Sequence, residues 1–185
     1  VGYLIGLSGV ARSGKDTLAD HLVSGGGYTK IAFADPMREA LVRLNPTIEV
    51  GGFKLAKLAT AVGVFGWEEL KKISPDIRGL MQRMGTEVGR EMFGEDFWVE
   101  QTMNRVSQIE GNCVVSDVRY LNEAQAIRAD GGFIIRIERD GVEAANGHAS
   151  EDGMADFEYD LVLRNNGSIQ EFITSIDSTL ASVLR

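Results

Sequence analysis

Gly9-Val10-Ala11-Arg12-Ser13-Gly14-Lys15-Asp16-Thr17 is the stretch on which the fold turns. It matches glycine, four residues, glycine, lysine. It stands between a short apolar run, Tyr3-Leu4-Ile5-Gly6-Leu7, and a segment whose apolar residues Leu18, Ala19, Leu22 and Val23 recur at helical spacing. Strand, glycine-rich turn and helix start, in that order, are the parts of a phosphate-holding loop. Gly9 and Gly14 let the backbone curl until successive amides, those of Ala11, Arg12 and Ser13 among them, point at one anion. The helix N-terminus adds the positive end of its dipole, and Lys15 would reach the outer phosphates of a nucleoside triphosphate. A turn that merely joins a strand to a helix needs neither the lysine nor both glycines, so the phosphate reading is the stronger. One position departs from the generic pattern. The hydroxyl residue expected directly after the lysine is displaced to Thr17 by Asp16. A carboxylate is a good ligand for a hard cation but repels phosphate unless a cation lies between them. Two readings stand side by side: Asp16 holds magnesium, or it is a helix-end charge and Thr17 is the metal or phosphate ligand.

Outward from the loop, strands and helices alternate. Gly25-Gly26-Gly27 closes the first helix, Tyr28 to Ala34 reads as a strand, and Asp35-Pro36 opens a helix through about Leu44, with proline favoured in a first turn. Between Asn45 and Ser74 the glycines Gly51, Gly52, Gly63 and Gly66 break the pattern into short helical pieces. Pro75 to Met92 then reads as a helix with an apolar stripe of Ile77, Leu80, Met81, Met84, Val88 and Met92. A helix from Phe97 to Ile109, a buried strand Cys113 to Ser116 ending at Asp117, a helix from Asn122 to Ala129 and a strand from Phe133 to Glu138 follow. The polar, glycine-bearing segment 139–158 reads as an exposed loop or lid. A strand over Tyr159 to Leu163, a turn at Asn165-Asn166-Gly167 and a helix over Ser168 to Leu184 close the chain. The expectation is one α/β domain over 1–185 with a three-layer P-loop NTPase fold: a mostly parallel sheet covered by helices on both faces.

Composition narrows the function. With 185 residues, 44% hydrophobic and 25% charged, the chain is an ordinary globular domain. A net charge of -8 argues against a nucleic-acid polymer as partner, while a small anion can still be caught by local cations. One cysteine, Cys113, excludes an internal disulfide, and with two histidines it makes a poor zinc set. No apolar run approaches the roughly 20 residues of a membrane span and no signal pattern opens the chain, so a cytoplasmic location is expected and no membrane partner.

Further candidates sit where a parallel sheet presents its ligands, beyond the strand C-termini. Asp117 would be an outer magnesium holder, and Arg119, two residues on, would bridge donor and acceptor phosphates; a plain surface arginine is the rival reading. Asp35 would either cap the helix that follows or accept a hydrogen bond from a sugar or base. Arg38 lies in a first helical turn, where a cation opposes the dipole, and a nearby monophosphate would explain it. Arg78, Gln82, Gly85 and Gly89 share a helix face, the first two offering donors to a phosphate or a base, the glycines admitting a ligand or a second helix. Trp98 would stack on a base or lie in the interior, and Arg139 with Gly147-His148-Ala149-Ser150-Glu151 would close over the phosphates.

Taken together, Gly14-Lys15-Asp16-Thr17, Phe33-Ala34-Asp35-Pro36, Gly85-Thr86-Glu87-Val88-Gly89-Arg90, Asp96-Phe97-Trp98, Ser116-Asp117-Val118-Arg119 with Asn122-Glu123, and His148-Ala149-Ser150-Glu151 resemble the deoxynucleoside monophosphate kinases of bacteriophages, in the nucleoside monophosphate kinase-like P-loop group. The pieces occur in the family's order across most of the chain, and Asp16 after the lysine is normal there. The resemblance implies magnesium-dependent transfer of a phosphoryl group from ATP to a deoxynucleoside 5′-monophosphate. It also implies a monophosphate-binding region, at about 36–110, and a closing lid, at about 139–158, in which Glu151 would meet substrate. A phage-encoded enzyme would act in the host cytoplasm, as monomer or homodimer. The rival readings are another small-molecule P-loop kinase, of the phosphomevalonate or dephospho-coenzyme A type, and a non-catalytic nucleotide-binding switch.

Overall fold

The computed structural model describes residues 2–52, 54–142, 154 and 157–183. By packing, the chain divides into two compact units: Val1–Phe33 with Met103–Arg185, and Ala34–Thr102.

The first unit is built on a five-stranded parallel sheet. Its strands are β1 (Leu4–Ser8), β2 (Tyr28–Ile31), β5 (Asn112–Val115), β6 (Phe133–Glu138) and β7 (Leu161–Arg164), in the order β2-β5-β1-β6-β7. The phosphate loop therefore leaves the central strand. Every residue of β1 is buried, as befits a strand covered on both faces. Ile5 and Leu7 point to one face, where α1 (Lys15–Gly26) and the C-terminal helix α7 (Ile169–Val183) supply Leu18, Leu22, Phe172 and Ile176 to a shared core. On the other face lies α6 (Leu121–Ala129), and β1 carries Gly6 there for a steric reason. A Cβ at Gly6 would lie 2.6 Å from Ile134 Cδ1 and 2.8 Å from Ile127 Cδ1. A larger residue would push α6 off the sheet. The expected fold class, a mostly parallel sheet between two helical layers, is the observed one.

The second unit contains α2 (Asp35–Leu44), the antiparallel hairpin β3 (Thr47–Val50) and β4 (Lys54–Lys57), α3 (Leu58–Ile73), α4 (Asp76–Gln82) and a π-helical continuation, Arg83–Phe93; α5 (Phe97–Val106) spans the end of this unit. Its core gathers Met37, Leu41, Ile48, Val50, Leu58, Leu70, Ile77 and Trp98. Two expectations are corrected here. The stretch 45–74 opens with a hairpin in place of helix, while α3 breaks at Gly66, where φ is 70° and ψ 167°, into two helical pieces as the glycine pattern expects. The helix after Pro75 changes hydrogen-bonding pattern at Arg83, and because the i→i+5 pattern rotates each residue less than an α-helix does, Met92 leaves the apolar stripe and stands 70% exposed.

Candidate active site

The loop after β1 closes on itself through backbone and side chain. Gly9 has φ 141° and Gly14 φ 114°, values that L side chains rarely adopt, and a Cβ on Gly9 would also strike Ile137 O and lie 2.8 Å from Ser13 Oγ. Arg12, exposed at the tip, is itself in the left-handed region at φ 66°. The Ser13 amide donates to Val10 O at 3.2 Å, and Lys15 Nζ donates to Gly9 O at 2.7 Å and Val10 O at 2.8 Å. The ammonium thus lies over the concave side of the loop, beside Ala11.

Asp16 and Thr17 part company in the first turn of α1. Asp16, its side chain 84% exposed, accepts from Lys30 Nζ at 3.1 Å, and Lys30 also meets Asp20 at 2.8 Å. The two carboxylates hold the Lys30 pKa above its ordinary value even though burial alone would lower it. Thr17 is half-buried in the same turn.

At the end of β5 the chain is tied down before it turns. Asp117 Oδ1 accepts from Phe33 N at 2.6 Å, and the Val118 amide donates to Leu7 O at 3.0 Å. Glu123, only 5% exposed, reaches back with Oε2 to the amides of Arg119 at 2.7 Å and Tyr120 at 3.1 Å. The glutamate both caps α6 and fixes the backbone from which the Arg119 side chain, on an exposed residue, leaves the sheet. Lys15 and Arg119 meet on one cavity of about 80 Å³, floored by Gly9, Val10 and Ala11 and closed by Arg136, Met154 and Tyr159. Three cations and no carboxylate belong to its described lining, in a chain with net charge -8.

Two participants were not singled out from sequence. Asn165, 7% exposed, donates from Nδ2 to Ser13 O at 2.8 Å, while its own amide donates to Glu138 O at 2.8 Å. A Cβ on Gly14 would strike that same Nδ2, so Asn165 and Gly14 are fitted to one another. From sequence it is one of three turn residues after a strand, and nothing local marks it. Arg136, in the middle of β6, could have been noticed as a charged residue inside the apolar run Phe133-Ile134-Ile135-Arg136-Ile137, where a buried parallel strand has little use for one.

Asp35, Arg38, Arg78, Gln82 and Trp98 belong to the second unit. Asp35 is the first residue of α2, after Ala34 at the N-cap, and the helix start carries no side-chain cap; Asp35 accepts from Arg38 Nη1 at 3.3 Å, so the capping reading is set aside. Arg38 has Glu68 at 3.9 Å as well, while its buried Nε has no hydrogen-bond partner. Arg78 and Gln82 lie exposed along α4. Trp98 takes the interior reading: it is 9% exposed, donates from Nε1 to Gly85 O at 3.0 Å and lies against Gly89, where a Cβ would strike the indole. Gly89 admits a packed tryptophan, whereas Gly85, where a Cβ would meet nothing within 4 Å, offers it only a backbone carbonyl. Glu151 and the segment His148 to Ser150 lie outside the described residues.

For magnesium the donors at hand are hard oxygens, the Thr17 hydroxyl in the first turn of α1 and the Asp117 carboxylate beyond the end of β5. Among the described residues no three His, Cys, Asp or Glu side chains converge into a metal set. One or two oxygens beside a phosphate site fit an ion that takes much of its shell from phosphate and water. No described helix is long and apolar enough to cross a membrane.

Comparison with known proteins covers most of the chain. The family described as deoxynucleotide monophosphate kinase matches residues 64–176. A protein of Acanthamoeba polyphaga mimivirus is 31% identical over 95% of this chain and 94% of its own. The deoxynucleotide monophosphate kinase of Enterobacteria phage T4 is 27% identical, over 96% of this chain and 98% of its own, and that of Escherichia phage RB69 is 26% identical, over 96% and 99%. Among solved structures the dephospho-CoA kinase from Campylobacter jejuni shares the fold, with a TM-score of 0.50 at 17% identity, over 99% of this chain and 98% of that one.

Proposed function

Since this chain belongs to the deoxynucleotide monophosphate kinase family, we propose that it transfers the γ-phosphoryl group of ATP to a deoxynucleoside 5′-monophosphate, giving the diphosphate and ADP for DNA precursor synthesis. The observation that carries this reading is the meeting of Lys15 and Arg119 on one cationic cavity at the mouth of the glycine-rich loop. Phosphoryl transfer needs little covalent chemistry from the protein and much charge neutralisation in a fixed geometry. Gly9 to Gly14 cradle the donor phosphates with backbone amides, and Asn165 fixes that backbone through Ser13. Lys15 turns from the loop carbonyls to the outer phosphates. Arg119, on a backbone clamped by Glu123, neutralises charge shared between donor and acceptor.

Thr17 and Asp117 would hold magnesium, which supplies charge neutralisation at the phosphates when bound. Asp16, engaged by Lys30, serves as the helix-end charge. In the second unit Asp35, Arg38, Arg78 and Gln82 are the groups assigned to the monophosphate and its base, and Glu151 is assigned to the lid. A cytoplasmic location, in the host cell if the chain is phage-encoded, belongs to the same proposal.

The test is a coupled ADP-release assay with each deoxynucleoside monophosphate, the ribonucleotides, phosphomevalonate and dephospho-coenzyme A as acceptors. Turnover confined to deoxynucleoside monophosphates, or strongest with them, is expected. No turnover with any of them overturns the proposal.

A further inference from the structure

We propose that Arg136 is a third phosphate-contacting residue of this site, aimed by Tyr159 and Glu138 at the outermost phosphate of the donor; the proposal rests on the kinase reading above.

Its position follows from sheet register. Arg136 pairs with Ser8, the last residue of β1 before Gly9, so its Cα lies beside the start of the loop. The strand around it is apolar, and Ile135 and Ile137 are buried in the core on the opposite face. A guanidinium in such a strand is costly to desolvate, and a structural role would call for a carboxylate that takes it two-pronged. Glu138 does not do this. It accepts from Nε alone, at 3.2 Å. Nη1 donates to Tyr159 Oη at 2.9 Å, and the guanidinium carbon lies 5.1 Å from the Tyr159 ring centroid. Tyr159 is itself anchored, its hydroxyl donating to Met154 O at 3.3 Å. These contacts fix the orientation of the guanidinium without neutralising it fully, and the side chain is 32% exposed, towards the cavity it shares with Lys15 and Arg119.

The cavity floor identifies which phosphate is meant. Gly9, Val10 and Ala11 form the entrance half of the loop, ahead of the Ser13 to Thr17 half where the helix N-terminus receives the inner phosphates. An anion resting on Gly9 to Ala11 with Lys15 on one side is the outermost phosphate, the group that moves. Arg136 and Arg119 line the same cavity, so charge that builds on the equatorial oxygens is met by both guanidinium groups.

Wild type, Arg136→Met, Arg136→Lys and Tyr159→Phe are compared in three measurements: steady-state kinetics with a deoxynucleoside monophosphate and ATP, calorimetric binding of inorganic tripolyphosphate, and thermal unfolding. Arg136→Met should lower kcat/KM by about 10²–10³-fold, the loss typical of one preorganised transition-state donor. It should also weaken tripolyphosphate binding by about 10-fold or more, as loss of a charge-assisted hydrogen bond implies. Arg136→Lys should recover part of both, keeping charge but losing the fork, and Tyr159→Phe should lower kcat with a smaller effect on binding. A folded Arg136→Met protein with unchanged tripolyphosphate affinity and unchanged kcat/KM, whatever its melting temperature, overturns the proposal. Should wild type phosphorylate no deoxynucleoside monophosphate, the kinase reading falls by itself. The tripolyphosphate arm then decides Arg136 alone: weakened binding supports it and unchanged binding overturns it.

Discussion

Replacing Asn165 separates a loop held in shape from a loop merely packed. Asn165→Ala removes the 2.8 Å hydrogen bond from Nδ2 to Ser13 O and leaves that carbonyl on a fully buried residue without its donor. An unsatisfied buried polar group costs about 1–3 kcal/mol. At about 2–4 °C per kcal/mol for a chain of this length, the melting temperature should fall by about 2–12 °C. The functional loss has a different origin. If about 1.4 kcal/mol of that cost falls on the phosphate-ready shape of Val10 to Gly14, apparent ATP affinity drops about tenfold, because only the competent fraction binds. Asn165→Asp is the sharper probe. It keeps the shape but turns a carboxylate oxygen towards the Ser13 carbonyl and adds negative charge beside the phosphates, so it should bind ATP worse than Asn165→Ala. Calorimetric titration with ATP and thermal unfolding read both effects. Wild-type ATP affinity in the Asn165→Asp variant, or an Asn165→Ala variant that melts early yet binds ATP normally, would refute the argument.

Lys15→Ala should reduce kcat by about 10²–10³-fold or more with the protein still folded, since the half-buried lysine gives up hydrogen bonds to two loop carbonyls and no core packing; retained turnover would remove it from the chemistry. Thr17→Val should raise the magnesium concentration needed for half-maximal rate, whereas Asp16→Asn should leave that titration unchanged and cost less than about 1 kcal/mol in stability, as an exposed ion pair does. Gly89→Ala drives a methyl into the Trp98 indole and should destabilise the second unit by about 1–3 kcal/mol, seen in tryptophan fluorescence during urea unfolding. Cys113 is fully buried and its thiol is pushed up to about 11 by burial, so a disulfide thiol reagent at pH 8 should label it only at the rate of unfolding; rapid labelling of native protein would contradict the buried placement.

Local chemistry made much of this molecule readable. Helix α2 begins at Asp35 and β6 runs from Phe133 to Glu138 as their residues require, because Pro36 starts a helix and a run of branched apolar residues fills a covered strand. The hairpin at Thr47–Val50 and Lys54–Lys57 escaped because its strands are four residues each and only half-apolar. The available signal was Gly51-Gly52, both at positive φ, between them. The π-helical stretch escaped for another reason: an apolar stripe reports helical spacing but not which amide bonds to which carbonyl.

By itself the sequence determined the loop, its place between a buried strand and a helix, and the family's pattern of motifs, since each depends on residues adjacent in the chain. Tertiary structure alone decided what surrounds the loop. Asn165 reaches Ser13 across a separation of 152 positions, and Arg136 arrives through parallel register with Ser8. Such contacts are set by how strands align and helices dock, and no local pattern encodes them.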